Sequence, residues 1–300
     1  MEQHLPTGLQ LVGPKRTRRG KRLAPYLLVL PGGGWLVVFF LVPVLILASV
    51  STQTGNLFDG FRQTWHFQNY LDAIRLYHTQ FVRSLIYGSA ATAIALVLSY
   101  PLAYWIAFRG GKYKTTYLYL LLLPFLVSFV IRTLAWQFIL SDQGIVLGTM
   151  KHWHLLPQSF HVLATPFAVI AGIAYNFLPF MALPLYVTLE KIDRSVVEAA
   201  RDLYSNDLQV FTRVIFPLSV PGVFAGILLT FVPAVGDYVN AGILGGTRTT
   251  MIGNIIQLEF LQNFHYPVAA ALSFILMAGL LFGILAYARL LGTRSIEEYV

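Results

Sequence analysis

Five charged residues, Glu198, Arg201, Asp202, Asp207 and Arg213, crowd into the stretch "EAARDLYSNDLQVFTRVIFPLSVPGV" of a chain that is only 11% charged. Acidic and basic groups on one side of a short segment, with apolar groups on the other, suit the docking of a partner rather than bond-breaking chemistry. Elsewhere the Asp and Glu residues are too scattered to make a general acid–base pair. Two further charges, Arg132 and Asp237, interrupt long apolar stretches, where an ionised group is costly and points to function. Other familiar chemistries lack their residues. There is no cysteine, which excludes a disulfide framework and cysteine-based zinc or iron–sulfur centres. No His-Glu-x-x-His pattern occurs. The nearest approach to a phosphate-binding loop, "IAFRGGKY", lacks both the first Gly and the final Ser or Thr, and Gly32-Gly33-Gly34 lies inside an apolar stretch.

The elements that must position these residues are membrane helices. The chain is 56% hydrophobic and carries less than half the charge of an ordinary soluble domain, which is about a quarter charged. Six stretches, at about 26–50, 81–108, 116–140, 166–189, 218–240 and 267–291, are long enough to cross a hydrocarbon core of about 30 Å, which takes about 20 helical residues. Runs such as "TTYLYLLLLPFLVSF" lack the alternation of a barrel strand. The expected fold is therefore an all-α membrane protein with six transmembrane helices, a basic tail over residues 1–25 and a transmembrane domain over 26–300. The first apolar stretch exceeds the 7–15 residues or so of a signal-peptide core, so it reads as an uncleaved span. The outer stretch "DGFRQTWHFQNYLDAI" reads as a short surface helix.

Basic residues set the expected orientation. Fifteen Lys and Arg fall in the N-terminal tail, the loop "RGGKYK", the segment 190–216 and the C-terminal tail; only Arg62, Arg75, Lys151 and Arg248 fall on the opposite side. The positive-inside rule then places both termini and the loop 190–216 in the cytoplasm. The same placement accounts for the net charge of +8 through anionic membrane lipid, with no nucleic acid as partner. Within that loop "SVVEAARDLY" is rich in helix formers, with Asp193 or Ser195 as its cap. Ser205-Asn206-Asp207 reads as a turn, and Leu208, Phe211, Val214 and Ile215 fall on one helical face. Pro217 then opens the next span. The result is a helix–turn–helix plate across the inner face of the bundle.

This plate resembles the coupling loop of permease subunits in type I ATP-binding-cassette importers. Glu198-Ala199-Ala200 and Val214-x-Phe216-Pro217 match that family's motif in register, while Tyr204 stands where the family has Gly. Four further stretches, "LLVLPGGGWLVVFFLVPVLIL", "FVIRTLAW", "NFLPFMALPLYVTLEKID" and "VPAVGDYVNAGILGG", resemble the permeases of spermidine/putrescine importers; permeases for other organic cations and aminophosphonates share part of this pattern. The resemblance implies a non-catalytic permease with no cofactor of its own. Its partners would be a second, similar permease, two ATPase subunits that hold ATP and magnesium, and an extracytoplasmic substrate-binding protein. It also implies that Glu198 meets a basic group on the ATPase, that Ala199 and Ala200 allow close approach, that Tyr204 lies at the contact, and that Phe211 and Val214 key into the ATPase groove.

For the pathway, the rise of a straight helix puts Arg132 ~25 Å and Asp237 ~28 Å from the inner ends of their spans. Two readings stand. Either both snorkel to the outer interface or form an Arg–Asp pair, or Asp237 faces the route and meets a cationic substrate beside the helix break at Pro233 and Gly236. Asn176, near mid-depth, either bridges helices or lines the route. Tyr175, Trp136 and Tyr238 are candidates for cation–π contacts. A secondary transporter, a membrane enzyme and an assembly scaffold are the rival classes. The first would show coupling acids at mid-depth and the second a titratable cluster within a span.

Overall fold

The computed structural model describes residues 29–203 and 206–295, with side chains as far as residue 289. The predicted basic tail 1–25 and Tyr204 lie outside the described residues. Among the described residues five helices are long and apolar enough to cross a membrane: α1 (Val29–Ser51), α2 (Gln68–Arg109), α6 (Pro166–Glu190), α8 (Asp207–Val235) and α11 (Tyr266–Ser295). Between the second and third of these lies a bent pair, α3 (Gly111–Leu126) followed by α4 (Phe129–Leu140) and α5 (Ile145–His152), with an 88° bend at the break; it makes the count six if the pair is one span. The short helices α7 (Arg194–Leu203), α9 (Val239–Ile243) and α10 (Ile252–Leu261) connect them.

α1 is a unit by itself and carries no charged residue. It widens into a π turn over Val37–Leu41, where the Val42 N–H donates to the Val37 carbonyl. Pro43 follows directly. α8 repeats the device: a π turn over Phe211–Ile215, the Phe216 N–H donating to the Phe211 carbonyl, then Pro217. A proline supplies no N–H and its ring crowds the carbonyl four residues back. A locally wide turn relieves that crowding without ending the helix. The predicted boundary at Pro217 therefore disappears, and the second helix of the plate and the fifth span are one helix of 29 residues.

The remaining unit centres on α2, α6 and α8. α2 meets its neighbours with small residues one turn apart, at Gly88, Ala91, Ala95, Ser99, Ala103 and Ala107, all buried. In lipid no hydrophobic force drives helices together, so close backbone approach through small side chains takes its place. The fit is tight. A Cβ on Gly88 would stand 2.6 Å from Val235 Cγ2, and one on Gly222 would stand 2.9 Å from the Pro184 carbonyl oxygen. Hydrogen bonds cross the same seams, from Ser99 Oγ to the Leu178 carbonyl at 3.2 Å and between Tyr100 Oη and Ser219 Oγ at 2.7 Å.

Three expectations need correction. The outer stretch from Asp59 is not a short surface helix. Gly60–Gln63 pairs antiparallel with Gln53–Asn56 as strands β2 and β1, and Asn56 Oδ1 accepts from the N–H groups of Phe58 and Asp59 to close the turn. The residues from Gln68 onward already belong to α2, whose 42 residues run ~63 Å, well beyond the bilayer core. The third span is broken rather than straight. Pro124 sits in a tight 3-10 turn, and Val127 and Ser128 are extended before α4 begins. The fifth span ends at Val235, with Gly236 at its C-terminus, short of the predicted residue 240.

Gly222→Val is expected to destabilise the bundle by ~1–3 kcal/mol, because the added side chain meets the short Thr188 side chain at its Cβ and the Pro184 carbonyl, neither of which can swing aside. A lower thermal midpoint of the purified protein in detergent, with Gly279→Val as the control in open space, checks it.

Candidate functional site

The plate is built outward from the core. Asp193 caps α7: its Oδ1 accepts the Ser195 N–H at 2.9 Å and its carbonyl accepts the Val196 N–H at 3.2 Å. The bonds from Ser195 hold the Asp193 carboxyl below the usual carboxylate range. α7 is sharply two-sided. Val197 and Ala200 are buried in one apolar cluster with Ala103 and Ala107 of α2, Leu185 and Leu189 of α6, and Val210 and Ile215 of α8. Glu198, Ala199, Arg201, Asp202 and Leu203 are exposed. Asn206 Oδ1 caps α8 through the Leu208 N–H at 2.9 Å, and Arg201 Nε lies 3.6 Å from Asp207 Oδ1 across the turn. At the base of the plate, Lys114 Nζ sits 2.7 Å from both carboxylate oxygens of Glu190, tying the start of α3 to the end of α6.

This geometry redistributes the expected contact residues. Glu198 and Ala199 face outward, but Ala200 is 4% exposed and belongs to the core. Phe211 and Val214 also pack inward; the Phe211 ring lies edge-on to Tyr100 at 5.6 Å and to Tyr104 at 6.2 Å. Both remain partly exposed beside that cluster. The apolar side chains that the turn does present are Leu203 and Leu208, 79% and 65% exposed. Sequence reading named Leu208 only as part of the second helix's apolar face and passed over Leu203, although two leucines flanking a polar stretch were the available signal.

A second polar site lies where α8 breaks. Asp237 is buried and caps α9: its Oδ1 accepts the Asn240 N–H at 2.9 Å and its Oδ2 accepts from Asn240 Nδ2 at 2.5 Å. Asn240 Oδ1 in turn accepts from Asn176 Nδ2 at 2.9 Å and from Thr133 Oγ1 at 3.1 Å, and Asn176 Nδ2 also donates to Thr133 Oγ1 at 3.0 Å. Asn176 thus bridges α4, α6 and α9. Thr133 and Asn240 were not singled out from sequence; the Asp-x-x-Asn spacing of a capped helix was the legible sign. The backbone passes close here, since a Cβ on Gly253 would collide with the Gly236 carbonyl oxygen.

Arg132 does not pair with Asp237. The break before α4 puts Arg132 in that helix's first turn, where its guanidinium lies over the Phe125 ring at 4.1 Å. Trp136 and Tyr175 do come together, edge-on at 5.3 Å. Tyr238 is half exposed, and its carbonyl accepts from Asn254 Nδ2 at 2.8 Å. Near the far end of α2, buried Glu259 accepts from Tyr77 Oη at 2.7 Å and from Asn263 Nδ2 at 3.0 Å, and contacts His265 Nδ1 at 2.8 Å.

A membrane bundle with an amphipathic plate packed into its core is the arrangement that comparison with known proteins interprets. The family of binding-protein-dependent transport system inner membrane components matches residues 33–291. The chain is 39% identical over 254 residues to the spermidine/putrescine transport system permease protein PotB of Haemophilus influenzae, covering 83% of this chain and 88% of that one. It is 36% identical over 241 residues to PotB of Escherichia coli, covering 80% and 88%. Among solved structures, a bacterial ABC transporter that imports the acidic polysaccharide alginate aligns over 93% of this chain and 100% of its own, with TM-score 0.71 at 18% identity, a likeness of fold alone. The chain belongs to the binding-protein-dependent transport system inner membrane component family. It is a multi-pass inner-membrane permease of the ABC importer class.

Asn176→Leu is expected to cost ~1–2 kcal/mol, two interhelical hydrogen bonds at ~0.6–1 kcal/mol each, by cutting α6 from α4 and α9. A lowered unfolding midpoint in detergent, with Gln68→Leu as a control at an exposed bond, measures it.

Proposed function

We propose that this chain forms one half of the translocation pathway of an ATP-driven polyamine importer. The observation that carries this reading is the identity of 39% to a spermidine/putrescine permease, sustained over four fifths of the chain. The importer also contains a second, similar permease, two ATPase subunits and an extracytoplasmic binding protein. ATP and magnesium reside on the ATPase subunits; this chain catalyses no reaction. The basic residues put both termini and the plate in the cytoplasm.

Glu198 and Ala199, outward on α7, meet the ATPase, with Glu198 opposite a basic group. Leu203 and Leu208 fill its apolar groove. Tyr204, between them in sequence, belongs to the same contact. Val197, Ala200, Val210 and Ile215 keep the plate from sliding on the bundle, so a push on α7 moves α2 and α6 with it. α8 carries the motion further. It is continuous from Asp207 to Val235, a rod of 29 residues and ~43 Å that ends two residues before Asp237.

At that end the substrate's ammonium groups meet negative charge and ring faces. Asp237 supplies the charge from behind its Asn240 bonds, and Tyr238, Trp136 and Tyr175 supply rings for cation–π contact. Arg132 lies over Phe125 and away from Asp237's bonds, and sets a positive limit beside the route. Asn176 holds the break in place.

The defining experiment is ATP-dependent uptake of labelled spermidine, putrescine and an aminophosphonate by the reconstituted four-component complex. Polyamine uptake is expected, and uptake of the aminophosphonate alone would refute the substrate assignment. Asp237→Asn should lower polyamine uptake about tenfold, the loss of one charge-assisted contact, while the ATPase subunits still co-purify. Glu198→Lys should give the converse: ATPase subunits lost on purification, or ATP hydrolysed without uptake.

A further inference from the structure

Where the last turn of α2 meets α7, a cleft of about 290 Å3 opens, lined by Tyr104, Phe108, Arg109, Arg194, Glu198 and Arg201. Arg194, Glu198 and Arg201 follow one another at helical spacing along α7, and Arg109 faces them from the end of α2. The cleft thus gathers three guanidinium groups against one carboxylate. Among the described residues neither Arg109 nor Arg194 has an ion-pair partner, and Arg201 has only the loose contact to the exposed Asp207. An uncompensated cluster of this kind attracts an anion.

The surroundings identify the anion. The floor is aromatic, with Tyr104 and Phe108 rings 4.8 Å apart, and the neighbouring Trp105 and Tyr117 rings meet at 4.7 Å. Aromatic rings and arginines together at a helix end mark the level of lipid headgroups. Guanidinium forks match phosphate oxygens two at a time, and basic recesses between spans at this level suit anionic headgroups. We propose that this cleft binds the headgroup of an anionic phospholipid. The phosphodiester lies among Arg109, Arg194 and Arg201, with Glu198 at the rim left to the ATPase. The lipid then staples α7 to the end of α2. This inference rests on the membrane placement of the chain and not on its substrate.

The test uses the purified complex with its ATPase subunits, titrated in detergent with short-chain phosphatidylglycerol, with phosphatidylcholine of the same chain length and with inorganic phosphate. Binding is read by native mass spectrometry. Saturable phosphatidylglycerol binding is expected, weakened about tenfold in Arg109→Gln/Arg194→Gln and unchanged in Lys112→Gln, which removes the same charge from the adjacent loop. If the double variant does not assemble, Arg109→Lys/Arg194→Lys keeps the charge and loses the forks, and is expected to weaken binding severalfold. Equal binding of the two lipids, full competition by inorganic phosphate, or binding insensitive to both double variants would overturn the proposal. So would a complex that binds no phosphatidylglycerol, since the ATPase would then occupy the cleft.

Discussion

Lipid offers helices no hydrophobic reason to associate, and everything in this molecule depends on how closely α2, α6 and α8 approach one another. That approach is set by glycine, alanine and serine on the facing stripes, with Gly88 against Val235 and Gly222 against Thr188 and Pro184. Because the backbones lie near one another, short polar side chains span the gaps. Tyr100 reaches Ser219, and Asn176 reaches both Thr133 and Asn240. Bulk at the stripes would separate the helices and strand these groups in an apolar medium, where each costs free energy.

The plate obeys the same constraint. It is not a flap joined by flexible chain. Its inner side chains share one apolar cluster with three spans, and its second half is the beginning of α8. Its outward positions include a carboxylate, a small residue and two leucines, Glu198, Ala199, Leu203 and Leu208. At the polar break beyond the other end of α8, the Asp237 N–H reaches the Ala234 carbonyl at 3.4 Å while its carboxylate holds the start of α9 through Asn240.

The membrane fold was legible because lipid demands long apolar runs, and the plate was legible because charge is so scarce elsewhere that its clustering stood out. What periodicity left undecided was direction. Leu208, Phe211, Val214 and Ile215 share spacing, but only tertiary contacts separate exposed Leu208 from Phe211 held by Tyr100 and Tyr104. The break before α4 was hidden for a similar reason. Pro124 is one of several prolines within apolar stretches, and nothing local distinguishes it from Pro101, which α2 absorbs without interruption. The hairpin of β1 and β2 was missed because "TGNLFDG" is short and its strands carry little alternation. Arg132 and Asp237 suggested a pair through their similar depths, but depth along two helices says nothing about azimuth.

The wide turn at Phe211–Ile215 fixes an azimuth of its own. Each helical residue advances the chain by ~100° about the axis, so one residue more or fewer in that turn would rotate everything before it by that angle relative to everything after it. The orientation of Leu208 and the turn, against that of the span carrying Gly222 and Gly226, is therefore a quantity counted in whole residues. The phase between what the bundle shows its driver and what it shows its own interior is written in that single loosened coil.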